Sequence, residues 1–154
     1  MRKRILLLVT CLSFAGSVWT QHSIAREWNE TLLSAIRREF ARPTVHARNL
    51  FHTSIAMYDV WAAYDSTAQT YFLGKTNGDF FCPFEGVPRP DNVEEAIKEA
   101  ISYACYTLME HRFNTSSRFD GFGPVAEHMA KLGKDVEFTD TDSTTSSPAA
   151  LRNY

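Results

Sequence analysis

The sequence predicts an all-α fold, a helical bundle of about four helices with an irregular or hairpin insertion between the second and third. Apolar residues return every three or four positions in four separate stretches, which is the helical period. Those stretches are bounded by capping residues, prolines and a glycine. The one long stretch without that period, residues 65–90, mixes aromatics with Gly and Pro instead.

The chain of 154 residues opens with MRKRILLLVTCLSFAGS, in which Arg2, Lys3 and Arg4 precede an apolar run from Ile5 to about Ala15. That run is too short to span a bilayer and leads into the small residues Ala15, Gly16 and Ser17. It therefore reads as a signal peptide over residues 1–17, with cuts as late as about residue 21 also compatible, and not as a membrane anchor. The expected location is secreted or periplasmic. Loss of the leader removes three basic residues and no acidic one, so the formal charge goes from −2 to −5. A mildly acidic chain without a basic stripe is a poor partner for nucleic acid or anionic membranes.

The mature portion divides into a helical domain, 22–133, and a polar tail, 134–154. In the first helix Ser23 is placed to cap, and Ile24, Trp28, Leu32, Ile36 and Phe40 recur every four residues until Pro43 closes it. Thr44 is then placed to cap a second helix from about Val45 to Tyr64. Apolar residues nearly encircle this helix, which predicts a central position in the bundle. Asn77-Gly78 within the insertion is a turn signal that fits either a short hairpin or an ordered loop. Asp91 with Glu94 resembles a capping box for a third helix to about Phe113, with Val93, Ile97, Ile101, Cys105 and Met109 on its apolar face. A fourth runs from about Phe122 to Leu132 and stops at Gly133. The tail is rich in Ser, Thr and Asp, offers little to bury, and is expected to be mobile or truncated. After leader removal, Cys82 and Cys105 remain, to form either one disulfide or two separate buried thiols.

The chemistry-bearing candidates lie on the second helix, in HARNLFHTSIAMYDVW. With Arg48 at zero and about 100° per residue, His52 falls near 40° and Asp59 near 20°, so the three share a face with small alanines beside them. His52 could act as a base or ligand oriented by Asp59. Their separation of seven residues, roughly 10.5 Å along the axis, forbids a direct bond. A helical metal pair also needs ligands three or four apart, and the sequence has none. The favoured reading is a structural polar seam of Arg48, His52 and Asp59, docking against groups such as Glu27, Glu30, Arg37 or Glu110 on other helices. No catalytic, cofactor-binding or metal residue is assigned. The acceptor patterns Asn29-Glu30-Thr31 and Asn114-Thr115-Ser116 and the Gly121-Gly123-Pro124 turn carry less. The aromatics Tyr71, Phe72, Phe80 and Phe81 fit core packing better than a ligand groove.

The run EWNETLLSAIRREFARPTVHARNLFHTSIAMYDVWAAYD, followed by EEAIKEAISYACYTL, resembles the amino-terminal helical part of vanadium-dependent haloperoxidase-like proteins in the type 2 phosphatidic-acid phosphatase superfamily. Trp28-Asn29, Ala47-Arg48, His52, Ala56-Met57, Asp59 and Trp61-Ala62-Ala63-Tyr64 carry most of the likeness, with Ala96-Ile97 and Ser102-Tyr103-Ala104 adding to it. The resemblance implies a larger helical enzyme in which a Lys, two Arg, a Ser-Gly backbone and two His hold vanadate or phosphate. The family patterns for those groups are Lys-x6-Arg-Pro, Pro-Ser-Gly-His and Ser-Arg-x5-His. In this sequence Arg42-Pro43 has Ala35 at the Lys position, and Arg89-Pro90 has Cys82 there. Pro148 is followed by Ala149-Ala150, and Ser117-Arg118 meets Pro124 where the His belongs. Arg152 stands where a Gly often follows the Pro-Ala-Ala-Leu segment, so the ending reads as truncated or divergent.

The leading expectation is an exported scaffold fragment without a cofactor of its own, inactive alone, whose partner is a missing C-terminal helical portion or a second copy. A stand-alone binding module using the Tyr71 to Phe84 segment is the alternative. A small metal-dependent hydrolase built on His52, Asp59, His111 and His128 is the third.

Overall fold

The structure is a computed structural model, describing residues 22–40, 42–115, 123–142, 144 and 147–153. The leader, the Ser117-Arg118 pair and Gly121 lie outside the described residues. Four helices are described: α1 (Ile24–Arg38), α2 (Pro43–Tyr64), α3 (Val93–Phe113) and α4 (Gly123–Lys131). Two two-residue strands, β1 (Thr76–Asn77) and β2 (Phe80–Phe81), stand between α2 and α3, and a 3₁₀ turn spans Pro148–Asn153.

Ser23 opens α1 as its residue type predicts, its side chain accepting from the Arg26 amide at 3.3 Å. Glu27 in the first turn and Arg37 and Arg38 in the last complement the helix dipole. The helix stops two residues short of Phe40, which is left half-exposed. Pro43 does not end α1, which stops at Arg38 with Glu39 as its C-cap. The proline occupies the first turn of α2, where a missing N–H costs nothing and a fixed φ is already helical, and Arg42, not Thr44, stands at the cap. The start of α3 is also shifted by one residue: Asn92 caps it, accepting from the Glu95 amide at 3.2 Å. Gly133 (φ +67°) closes α4 in a Schellman arrangement, with Lys134 N donating to Met129 O and Gly133 N to Ala130 O, both at 3.0 Å.

The insertion forms a hairpin, with Thr76 opposite Phe81 and Asn77 opposite Phe80. Gly78 supplies the positive φ of +62° that a two-residue hairpin loop demands. Two further bonds, Gly74 N to Cys82 O and Cys82 N to Lys75 O, carry the pairing outward.

The central helix is α3 and not α2. Every residue from Ala100 to Tyr106 is buried, so α3 is covered on all sides. By contrast α2 buries Asn49, Thr53, Met57 and Val60 along one side. It leaves Leu50, Phe51, Tyr58 and Trp61 at 38–54% exposure on another. Around α3, Trp28 of α1 is fully buried, donates to Ser102 Oγ at 3.2 Å and stands edge-on to His128 of α4 at 4.7 Å between ring centroids. Ser102 passes its own proton to Lys98 O at 2.7 Å, so the buried indole and hydroxyl are both satisfied.

The 134–154 segment buries more than its composition predicts. Tyr103 donates to Asp135 O at 2.8 Å, Lys134 meets Glu99 at 2.6 Å, and Phe138 packs on the Tyr103 ring. Ala149, Ala150 and Leu151 are then buried at 2% exposure or less against α3. Small side chains let this turn lie close along the small and medium residues of α3, a pairing that polar composition conceals. Cys82 and Cys105 are free, buried thiols, and the disulfide alternative is not the one adopted. Burial pushes the Cys105 thiol well above its ordinary range, and burial with the nearby Asp59 carboxylate raises that of Cys82.

Candidate functional site: a cavity beside the polar seam

The three seam residues do not act together. Arg48 is exposed and makes no ion pair among the described residues. Asp59 is buried at 5% exposure and forms no ion pair among the described residues. Its carboxylate instead receives three consecutive backbone amides: Tyr71 N–H on Oδ1, and Phe72 and Leu73 N–H on Oδ2 at 2.7 and 3.1 Å. A loop following a helix exposes unpaired amides, and an inward carboxylate one to two turns before the helix end satisfies them. The expected partners Glu27, Glu30, Arg37 and Glu110 play no part in this; Glu27 instead approaches His128 at 4.0 Å.

His52 is joined to α3 by a residue that helical spacing did not single out. Arg112, in the last turn of α3, donates from Nη2 to His52 Nδ1 at 2.7 Å. A guanidinium has only donors, so Nδ1 accepts and the imidazole proton resides on Nε2. Burial, then the charges of Arg112 and Arg48, lower the His52 pKa below its ordinary value and keep the ring neutral. Two buried polar atoms nearby in the sequence pattern lack partners among the described residues: Arg112 Nε and, one turn before His52, Asn49 Oδ1.

Against this seam lies a half-open cavity of about 580 Å³. Ile55, Ala56 and Val60 of α2 form one wall, and Phe72, Leu73, Phe80 and Cys82 of the insertion a second. Ala104 and Leu108 of α3 with Leu151 of the 3₁₀ turn complete it. His52, Asp59, Thr107 and His111 are its polar members. The aromatics of the segment do not pack in the core as expected: Tyr71, Phe80 and Phe81 are exposed, and of the four Phe72 and Phe80 line the cavity. Thr107 gave no signal in the sequence because it sits among apolar residues, and Leu151 entered only through the Pro-Ala-Ala-Leu segment of a tail otherwise too polar to suggest burial.

The four residues considered as metal ligands are not assembled. His52, Asp59 and His111 share the cavity, but His128 lies on α4 against Trp28 and Glu27. Among the described residues no group of three His, Cys, Asp or Glu is placed to hold a metal ion. No described helix is long and apolar enough to cross a membrane.

Fold and site together define a small helical domain with an apolar cavity edged by His52, Asp59, Thr107 and His111, with Arg112 bonded to His52 from α3. Comparison with protein-family models, with curated proteins and with solved structures found no match.

Proposed function

We propose that the chain is an exported helical scaffold that supports a larger haloperoxidase-like or phosphatase-like assembly and is not catalytic by itself. The observation that carries this reading is the uncovered side of α2. Ala47, Leu50, Phe51, Ser54, Tyr58 and Trp61 recur at helical spacing and are all exposed, four of them large and apolar. A helix that is apolar nearly all round is normally buried, so a further helical partner, a C-terminal portion or a second copy, fits that side. The seam agrees with a supporting role: Asp59 is consumed by loop amides and His52 by Arg112. Held in that way, neither group is arranged as a nucleophile or general base. Vanadate belongs, on this reading, to the complete assembly. The purified chain, supplied with vanadate, peroxide and bromide, or with a phosphomonoester, is expected to give no turnover. Robust turnover in either assay overturns the proposal.

The cavity favours a second reading, a self-sufficient secreted binding module that uses the Tyr71 to Phe84 segment. About 580 Å³ with apolar walls and few polar groups is within the range of small-molecule sites. This reading requires cooperative unfolding and a dispersed amide NMR spectrum; a molten, aggregating chain contradicts it.

A further inference from the structure

We propose that the cavity between α2, the insertion and α3 takes an amphiphilic carboxylate, with the apolar tail among Ile55, Val60, Phe72, Leu108 and Leu151 and the carboxylate at His52. The proposal rests on the binding-module reading and adds to it the chemical class of the ligand. It concerns a different side of α2 from the uncovered apolar one.

The choice of an anion follows from unbalanced charge. Arg112 bonds His52, and Arg48 stands one turn away on α2, yet neither forms an ion pair among the described residues. The acid of the cavity, Asp59, has both oxygens occupied by the Tyr71, Phe72 and Leu73 amides, whose dipoles offset its charge. Neither arginine is on the wall, but Arg112 stands directly against His52 with its buried Nε unsatisfied among the described residues, and that positive charge favours an anion at His52 over a cation. The tautomer fixed by Arg112 leaves Nε2–H of His52, itself a wall residue, as a donor for an acceptor in the cavity. The remaining wall is apolar enough to require a tail and roomy enough for a chain of about twelve carbons.

The test titrates the full chain with dodecanoate and, separately, with dodecan-1-ol, by calorimetry at about pH 8, where carboxylates are ionised and histidines neutral. One dodecanoate per chain is expected, bound about tenfold or more tighter than the alcohol, the ratio expected of one charge-assisted contact. Arg112→Met should reduce dodecanoate to the affinity of the alcohol, and Leu108→Trp, which fills the cavity, should abolish both. Absence of saturable dodecanoate binding overturns the proposal. Equal affinity of the two ligands overturns the carboxylate assignment alone and leaves the cavity a binding site. Dodecanoate binding to folded Arg112→Met as tightly as to the unmodified chain also overturns it. Should circular dichroism show that Arg112→Met does not fold, the two-ligand comparison on the unmodified chain decides.

Discussion

Replacing Asp59 by alanine tests how the hairpin segment is attached to the helices. Asp59 is 5% exposed and accepts three backbone amides in succession. Removing it leaves the buried Leu73 N–H without an acceptor, a loss of about 1–3 kcal/mol. The Tyr71 and Phe72 amides are partly open to water, which recovers most of their share. The expected total is about 2–4 kcal/mol, a large part of the roughly 5–15 kcal/mol that holds a typical domain. In a urea titration the midpoint should fall with little change in slope, because the exposed surface on unfolding is unchanged. Amide exchange at residues 71–73 should accelerate more than at 100–106 in α3. Asp59→Asn should be intermediate, since it keeps one acceptor oxygen. A midpoint loss equivalent to less than about 0.5 kcal/mol, the range of an ordinary surface substitution, refutes the latch. So does unchanged exchange at 71–73.

Ser102→Ala removes the acceptor of the Trp28 indole N–H and should destabilise by about 1–3 kcal/mol, against about 3–5 for Trp28→Ala, as read from chemical denaturation. His52 and His128 both titrate below the ordinary 6.5, chiefly through burial. The unfolded chain then takes up protons first, so stability is full above about pH 6.5 and falls as pH drops below it. Urea midpoints at about pH 7.5 and 5.5 should show that fall, and His52→Gln should reduce it. Glu94→Ala breaks an exposed contact to Lys98 and should leave the melting temperature unchanged. Phe51→Ser combined with Trp61→Gln should suppress self-association, seen by light scattering, without lowering the midpoint.

Helices were legible because each announces itself locally. The four-residue recurrence of Trp28 and Leu32, Ser23 before it, and Gly133 after α4 need no knowledge of the rest of the chain. Pro43 was legible as a boundary but was read as the end of α1, whereas α1 has already stopped at Arg38 and the proline, lacking an N–H, begins α2. Rank within the bundle was not local. Apolar residues around α2 suggested burial, yet α3, with charged residues at its start, is the enclosed helix because α1, α2, α4 and the 3₁₀ turn all pack on it. The seam shared a face as the period required, but its partners were hidden. Asp59 is answered by main-chain amides, which carry no sequence identity, and His52 by Arg112, sixty positions away. Helical spacing therefore located the reactive groups and misjudged what they touch.

The 3₁₀ turn at Pro148–Asn153 has a temporal meaning as well as a spatial one. It follows the end of α3 by about 35 residues and yet lies closely along that helix. A chain emerging from a ribosome in order displays the apolar face of α3 to its surroundings until Ala149, Ala150 and Leu151 have followed it out. Docking must wait for the intervening chain, α4 included, to be made. The interval is an opening for chaperones, and also for misassociation between nascent chains.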